Sequence, residues 1–129
     1  MSHRQPITAP DAPKPAGPYS HAVRSGGLLF CSGQVPIDAS TGNLAEGSIG
    51  DQARQCLENL KTVVEAAGAQ LSDAVRMSIY VTDISTFAQV NEAYGAYFAS
   101  DPPARTTIGV AALPGGAQIE MDAIVALPD

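Results

Sequence analysis

The sequence predicts one domain of the α+β class, spanning residues 1–129, in which two helices cover one face of a β-sheet. The chain is 45% hydrophobic and 16% charged, which is typical of a packed globular unit of this length. Apolar residues recur at helical spacing between Ile49 and Ala67, and they alternate with polar residues between Val75 and Val81. The order strand pair, helix, strand, helix, strand pair indicates a sheet with both helices on one side.

The first third of the chain is expected to form a proline-rich crossing and a strand pair. Residues 9–18 contain four prolines and should run extended over the surface. Residues 20–24 and 28–32 flank Ser25-Gly26-Gly27, which is typical of a β-hairpin turn. Residues 38–47 are polar and predict a loop.

A long helix and a buried strand follow this loop. Ser48 and Asp51 have the spacing of a capping box, and Gly68 is a typical residue to follow a helix. The expected apolar face of the helix consists of Ile49, Ala53, Cys56, Leu57, Leu60, Val63, Val64 and Ala67. In the strand, the expected buried face consists of Val75, Met77, Ile79 and Val81, and the opposite face of Arg76, Ser78 and Tyr80.

The last third predicts a second helix and a second strand pair. Asp83 or Ser85 would begin the helix, and residues 101–103, Asp-Pro-Pro, would end it. Its apolar stripe, interpreted as ordinary core, consists of Phe87, Val90, Ala93, Tyr94, Tyr97 and Phe98. Residues 105–112 and 118–126 are predicted strands, and the turn-prone residues 113–116 between them suggest a hairpin.

That hairpin would place two charged residues on one face of the sheet. Arg105 would lie opposite Ile124, and Glu120 opposite Gly109. Four residues along a strand span about 13 Å, too far for an ion pair within one chain. We therefore expect a second subunit to bring an Arg105 and a Glu120 together in a cleft between chains, a common place for ligands.

The sheet face opposite the helices also points to subunit packing. Its predicted residues are too apolar for free water and too polar for a core. They are Arg76, Ser78 and Tyr80 of the central strand and Arg105, Thr107, Gly109 and Ala111 of the next.

Charge and composition exclude several classes of protein. Seven basic and thirteen acidic residues give a formal net charge of −6, which disfavours nucleic acid as a partner. Neither a secretory signal nor a window of about 20 apolar residues is evident, so we expect a cytoplasmic protein without a membrane segment. Cys31 and Cys56 lie far apart, as expected for buried thiols in a reducing compartment.

Arg105 and Glu120 are the residues whose chemistry is most informative. An arginine fork matches a carboxylate with two parallel hydrogen bonds, and a partly desolvated glutamate can activate water. A small carboxylated substrate suits this pair. The residues alone are equally compatible with an ordinary ion pair for Arg105, for example to Asp101, and with a solvated position on an edge strand for Glu120.

Ser32, Gly33 and Tyr19 are weaker candidates. Ser32 and Gly33 follow an apolar run. The Ser32 hydroxyl and the Gly33 backbone N–H could bind an oxyanion at this point. Alternatively, the two residues form a glycine-assisted bend at the end of the strand. The Tyr19 hydroxyl can orient a ligand, or its ring can cover the edge of the core. His3 and His21 have no partner at metal-ligand spacing and the acidic residues are scattered, so no metal site is expected. A serine triad is not expected either, because its Gly-x-Ser-x-Gly motif does not occur.

The motifs taken together resemble the Rid family of reactive-intermediate deaminases, also called YjgF-like proteins, and in particular its RidA branch. The resemblance spans nearly the whole chain. It is carried by Gly17-Pro18-Tyr19, Ser32-Gly33-Gln34-Val35-Pro36, Gln52-Ala53, Leu57-Glu58-Asn59-Leu60, Val90-Asn91-Glu92-Ala93-Tyr94, Pro103-Ala104-Arg105, Leu113-Pro114 and Ile119-Glu120.

The resemblance implies a chorismate-mutase-like fold with a single mixed sheet, a homotrimer with clefts between subunits, and hydrolysis of 2-iminobutanoate or 2-iminopropanoate to 2-oxo acids and ammonia without a cofactor. By position, Arg105 would hold the substrate carboxylate and Glu120 would activate water. The other residues that it implies for the cleft are Tyr19, Ser32, Gly33, Asn91 and Thr107. Thr107 replaces a cysteine that is common in the family, and Asp122 replaces a glutamate.

Three other functions are compatible with the same motifs. One is a trimeric ligand-binding or chaperone-like protein of this fold, which an exposed apolar surface would favour. Another is a hydrolase that uses the same arginine and glutamate on a different small carboxylate. Endoribonuclease activity, attributed to some relatives, fits poorly with the acidic charge balance.

Overall fold

The computed structural model describes residues 3–129 and contains one large sheet, a small two-stranded sheet and two α-helices. The strands are β1 (Arg4–Ile7), β2 (Ala22–Ser25), β3 (Leu28–Gln34), β4 (Ile37–Asp38), β5 (Asn43–Leu44), β6 (Ala74–Val81), β7 (Ala104–Gly109) and β8 (Ile119–Ala126). The helices are α1 (Ile49–Ala66) and α2 (Phe87–Gly95). The large sheet has the order β1-β2-β3-β8-β6-β7, and β4 pairs with β5.

Both helices pack on one face of the large sheet, which confirms the predicted α+β class. α1 contacts β3 and β8, and α2 packs beside α1. The predicted capping box begins α1: the Ser48 hydroxyl accepts the N–H of Asp51, and the Asp51 carboxylate accepts the N–H of Ser48. Gly68, with φ of +81°, follows the helix in the left-handed conformation that glycine adopts most readily.

The predicted hairpin of the last two strands is wrong. β7 pairs with β6 in parallel, whereas β8 lies between β3 and β6 and is antiparallel to both. The reason is the connection between β6 and β7, which contains α2. A helical crossover returns the chain in the same direction, so the two strands it joins lie parallel.

Four other local predictions are corrected. A register shift between Ala74 and Arg76 in the β6–β8 pairing turns Val75 to the open face, where 45% of its surface is exposed. A strand that the sequence did not predict, β1, pairs with β2 ahead of the proline-rich segment. The region predicted as a polar loop contains the β4–β5 pair. The second helix ends at Gly95 rather than running on to Asp101.

Both cysteines are buried, as their positions predicted. Cys31 faces the core from β3, and Cys56 lies on the buried face of α1. Burial raises the pKa of the Cys31 thiol to about 12 and raises the pKa of the Cys56 thiol as well. Both side chains therefore behave as small apolar groups rather than as nucleophiles.

The proline-rich segment is held in place by His21. The ring Nδ1 accepts the N–H of Ala9 at 3.0 Å, so Nε2 carries the proton and donates it to the carbonyl of Pro13 at 2.7 Å. His21 is only 5% exposed. A side chain that immediately precedes β2 thus fixes the segment that runs over one end of the sheet.

Asn59 is a buried polar residue that connects α1 to the turn after β3. Its amide donates to the carbonyls of Val35 and Ile37 at 3.2 and 2.9 Å, and its oxygen accepts from Gln55. We expect Asn59→Ala to lower the free energy of unfolding by about 2–3 kcal/mol, because two carbonyls would lose their donor. Urea denaturation measures the change. Gln55→Ala removes one contact from the same network and should have a smaller effect, and equal losses would contradict this account.

No helix within residues 3–129 has both the length and the apolar character needed to cross a bilayer.

Candidate functional site

The candidate residues form two clusters on different parts of the chain. The first cluster, which we call the glutamate pocket, surrounds Glu120 at the open face of the sheet. The second, the arginine cluster, surrounds Arg105 between β7 and α2. The predicted residues Tyr19 and Gly33 belong to the first cluster, and Asn91 and Thr107 to the second. Ser32 precedes Gly33 in β3 but does not line the pocket.

The glutamate pocket is a cavity of about 130 Å³ at the end of the sheet where β3 leaves it. Glu120, Gly33 and Tyr19 all line it, so the structure brings these three predicted residues together. The other lining residues are Pro13, Lys14, Pro15, Ala16, His21, Gln34, Val35, Ile37, Pro114 and Gly115. Most of this lining is apolar, which suits a small ligand with few polar groups.

A β-bulge shapes the floor of this pocket. Cys31 pairs with Ala123 and Gln34 with Met121, so Ser32 and Gly33 together lie opposite Asp122 alone. Gly33 is required here by close packing. A Cβ at this position would lie 2.9 Å from Cδ of Glu120 and would overlap its carboxylate. The predicted glycine-assisted bend is therefore present, but within β3 rather than at its end.

Ser32 and Tyr19 are oriented by backbone contacts. The Ser32 hydroxyl donates to the carbonyl of Ser20 at 2.6 Å, which leaves its lone pairs as acceptors. The Tyr19 hydroxyl accepts the N–H of Ala16 at 3.1 Å. Tyr19 is 48% exposed, so about half of its surface is open to solvent.

Glu120 is half-buried in an environment that disfavours its charge. β8 is an interior strand, so the alternative of a solvated edge position is wrong. Burial, and secondarily the negative charge of Asp122, raise the pKa of the Glu120 carboxyl above its usual range. Asp122 itself accepts the hydroxyl of Tyr80 at 2.9 Å. A carboxyl with a raised pKa is the kind of group that exchanges protons with a bound water.

The raised pKa of Glu120 predicts a pH-dependent stability difference. Ionisation costs more in the folded than in the unfolded chain, so the stability linked to the protonated form is complete below the unfolded pKa and is lost as the pH rises through the folded pKa. We expect Glu120→Gln to be more stable than the parent protein at pH 7 and to lose this advantage below about pH 4. Denaturation at both pH values, with the exposed Glu65→Gln as control, tests this. A less stable Glu120→Gln at pH 7 would contradict it.

The arginine cluster lies on the other side of the sheet. Arg105 pairs with Met77 of β6, whose side chain is in the core, so Arg105 points toward the helices and not toward the open face as predicted. One of its guanidinium nitrogens donates to Oδ1 of Asn91 at 2.6 Å. Its Cζ lies 4.8 Å from the ring centroid of Tyr94 and 5.4 Å from that of Phe87.

Thr107 lies two residues beyond Arg105 on the same side of β7 and pairs with Ile79. Its hydroxyl is buried and has no hydrogen-bond partner among the residues that the structure describes. A cysteine or an alanine would fit the same place without an unsatisfied hydroxyl. The hydroxyl of this predicted cleft residue is therefore not exposed at the surface.

Arg105 and Glu120 point to opposite faces of the sheet, which corrects the prediction of one shared face. Met77 pairs with Arg105 and Tyr80 with Glu120, so the two residues are two strands and three positions apart. Strand spacing puts their Cα atoms about 14 Å from each other. The prediction that Arg105 and Glu120 do not meet within one chain is confirmed. The strand register from which it was inferred is wrong, because β7 does not pair with β8.

Phe87 and Tyr94 are neighbours of Arg105 that the sequence analysis assigned to the core. Phe87 is 42% exposed and Tyr94 only 6%. With Asn91 they stand at positions i, i+4 and i+7 of α2, which is one face of a helix. That spacing is visible in the sequence, and it could have linked the predicted residue Asn91 to the two rings.

The fold and its two clusters define a small α+β protein with a half-buried carboxyl at one site and a pre-oriented arginine at another. The sequence profile of the family described as endoribonuclease L-PSP matches residues 9–127. The chain belongs to this family, which is the Rid or YjgF-like family.

Relatives from archaea, bacteria and eukaryotes cover almost the whole chain. A RutC family protein of Pyrococcus horikoshii is 46% identical over 94% of this chain and 96% of the relative. A 2-iminobutanoate/2-iminopropanoate deaminase of Dermatophagoides farinae is 41% identical over 98% of this chain and 99% of the relative. The crystal structure of RidA from an Antarctic Psychrobacter superposes with a TM-score of 0.91 at 41% identity, over 95% of this chain and 99% of that one.

Proposed function

We propose that this protein hydrolyses small 2-imino acids, such as 2-iminopropanoate and 2-iminobutanoate, to 2-oxo acids and ammonia. The observation that carries the proposal is that the chain holds both a half-buried Glu120 with a raised pKa and an Arg105 oriented by Asn91, the two groups that the hydrolysis of a carboxylated imine needs. The family includes imine deaminases, and the mite relative bears that name.

The proposed reaction consumes one water and needs no redox step. Arg105 binds the substrate carboxylate. The imine reacts in its protonated, iminium form. Glu120 takes one proton from a water while the water oxygen bonds to C2, and the C=N π electrons move to nitrogen, which gives a neutral carbinolamine. The protonated carboxyl then gives this proton to the nitrogen. As the C–N bond breaks, the carbinolamine hydroxyl loses its proton to the departing ammonia, so the 2-oxo acid and ammonium leave and Glu120 is again a carboxylate. Orientation of water and substrate is sufficient for catalysis here, because such imines already hydrolyse in water.

The proposed site lies between subunits of a homotrimer, the assembly typical of the family. Two features support a shared site: Arg105 and Glu120 are on opposite faces of the sheet in one chain, and large apolar side chains are exposed on its open face. The exposed large apolar residues near this face are Leu28, Phe30, Val75 and Ile108. A neighbouring chain that covers these residues would place its own Arg105 near the Glu120 of the first chain, or its own Glu120 near the Arg105 of the first chain.

The proposal is tested by generating imines in place with an amino acid oxidase and following their disappearance with and without the protein. Substrates with small, branched and aromatic side chains cover the range of sizes. We expect acceleration that is greatest for small side chains, because the glutamate pocket holds only about 130 Å³. Rates equal to the uncatalysed reaction for every imine would refute the proposal.

A second candidate is a chaperone-like protein, favoured by the same exposed apolar residues. The two candidate functions differ in whether the open face of the sheet is accessible in the assembled protein. If a trimer covers it, the assembled protein should not suppress the aggregation of an unfolded client. Suppression of aggregation by the intact trimer, together with flat hydrolysis traces, would favour the chaperone.

A further inference from the structure

Arg105 is enclosed by one face of α2, and within residues 3–129 it forms no ion pair with a carboxylate. Asn91 holds one guanidinium nitrogen, and the rings of Phe87 and Tyr94 lie within cation–π distance of Cζ. An arginine side chain loses rotamer entropy when it is fixed in place. Contacts that fix it before the ligand arrives remove this cost from the binding step.

The two rings differ in how firmly they are held. Phe87 is 42% exposed, so its position depends on few contacts. Tyr94 is 6% exposed and packs against Phe98, with ring centroids 4.7 Å apart. Tyr94 is therefore the fixed surface on which the guanidinium rests.

The hydroxyl of Tyr94 contributes little to this arrangement. It is buried without a hydrogen-bond partner among the described residues, and burial raises its pKa while the nearby Arg105 opposes that rise. The contact of Tyr94 with Arg105 is made by the ring. A phenylalanine would preserve that contact, whereas a leucine would remove it.

From this geometry we propose that Tyr94 is a positioning residue, whose ring holds Arg105 so that the guanidinium edge not bound to Asn91 remains free for a carboxylate. The proposal rests on the proposed function of Arg105 as the carboxylate anchor. Asn91 has a matching role, because its amide oxygen accepts a hydrogen bond from Arg105. Tyr94 itself does not touch the reacting atoms.

A contact that only positions the anchor should change KM more than kcat. The substrate carboxylate is bound equally in the ground state and in the transition state. Weaker binding of the carboxylate therefore destabilises both states by the same amount, which raises KM and leaves kcat unchanged. We expect Tyr94→Leu to raise KM for 2-iminobutanoate about tenfold, with kcat within about twofold. Tyr94→Phe should restore KM to near the parent value.

Phe98→Leu is the matched control. It removes an aromatic ring from the same part of the core, stacked on Tyr94, but Phe98 is not among the rings near Arg105. Thermal unfolding of all three variants shows how much each substitution destabilises the fold. If Tyr94→Leu and Phe98→Leu shift KM equally, or if Tyr94→Phe behaves like Tyr94→Leu, the proposal is overturned.

Calorimetric binding of 2-oxobutanoate, the product, separates this proposal from the proposed function. Weaker binding to Tyr94→Leu than to the parent, without imine turnover by either, would refute hydrolysis and support the positioning role. Turnover by the parent with unchanged KM and unchanged product affinity in Tyr94→Leu would refute only the positioning role. A parent protein that binds no carboxylate would overturn both.

Discussion

Replacing Arg105 by alanine is expected to reduce kcat/KM for 2-iminopropanoate hydrolysis by about 100- to 1000-fold, while the fold and the assembly are retained. Loss of one partner from a desolvated, hydrogen-bonded charge pair costs about 2–5 kcal/mol, and each 1.36 kcal/mol corresponds to a tenfold change in rate. Arg105 is half-buried on an edge strand, so its truncation leaves the main core untouched. Imine consumption at several substrate concentrations gives kcat/KM.

Arg54→Ala is the control for this substitution. Arg54 is an exposed arginine on α1 that pairs with Asp51 at 2.7 Å and belongs to neither cluster. Such a surface pair contributes little to stability, so this variant should hydrolyse the imine at the parent rate. The role of Arg105 as the anchor is refuted if Arg105→Ala retains turnover.

Mixing two inactive variants is expected to restore activity, which is the second large effect. Arg105→Ala and Glu120→Gln each remove one half of the proposed shared site. If the halves come from different subunits, a mixed trimer contains some clefts with an intact Arg105 from one chain and an intact Glu120 from the next. Unfolding and refolding the two variants together at equal amounts produces such trimers.

Random assembly predicts the amount of activity recovered. In a ring with one type of interface, each cleft receives both intact residues in about one quarter of cases, so activity should return to about 25% of the parent value. Each variant refolded alone should stay inactive. No recovery from a mixture whose mixed trimers are verified by mass would mean that each chain supplies both residues to its own site.

Local signals predicted the first helix and the first hairpin well. Ser48, Asp51 and Gly68 determine both ends of α1 through contacts within a few residues, so their effect is readable from sequence. The turn between β2 and β3 is likewise local. The family motifs predicted the overall fold, because they extend over nearly the whole chain.

The arrangement of the site could not be predicted from local sequence signals. The face on which Arg105 lies depends on β7 pairing with β6, and the sequence between residues 113 and 116 is as typical of a hairpin as of the longer return that the chain makes. The register shift at Val75 and the bulge at Gly33 also depend on partner strands. Each moves a side chain to a different face, because strand residues alternate sides.

Because both thiols are buried, the rate at which they react with a thiol reagent reports on unfolding. A thiol reagent reacts with the thiolate, and raised pKa values together with burial keep that species scarce while the chain is closed. The rate of modification at Cys31 therefore follows the opening of β3, and that at Cys56 the opening of α1. Comparison of the two rates would tell whether sheet and helix open together or separately, without the introduction of any label.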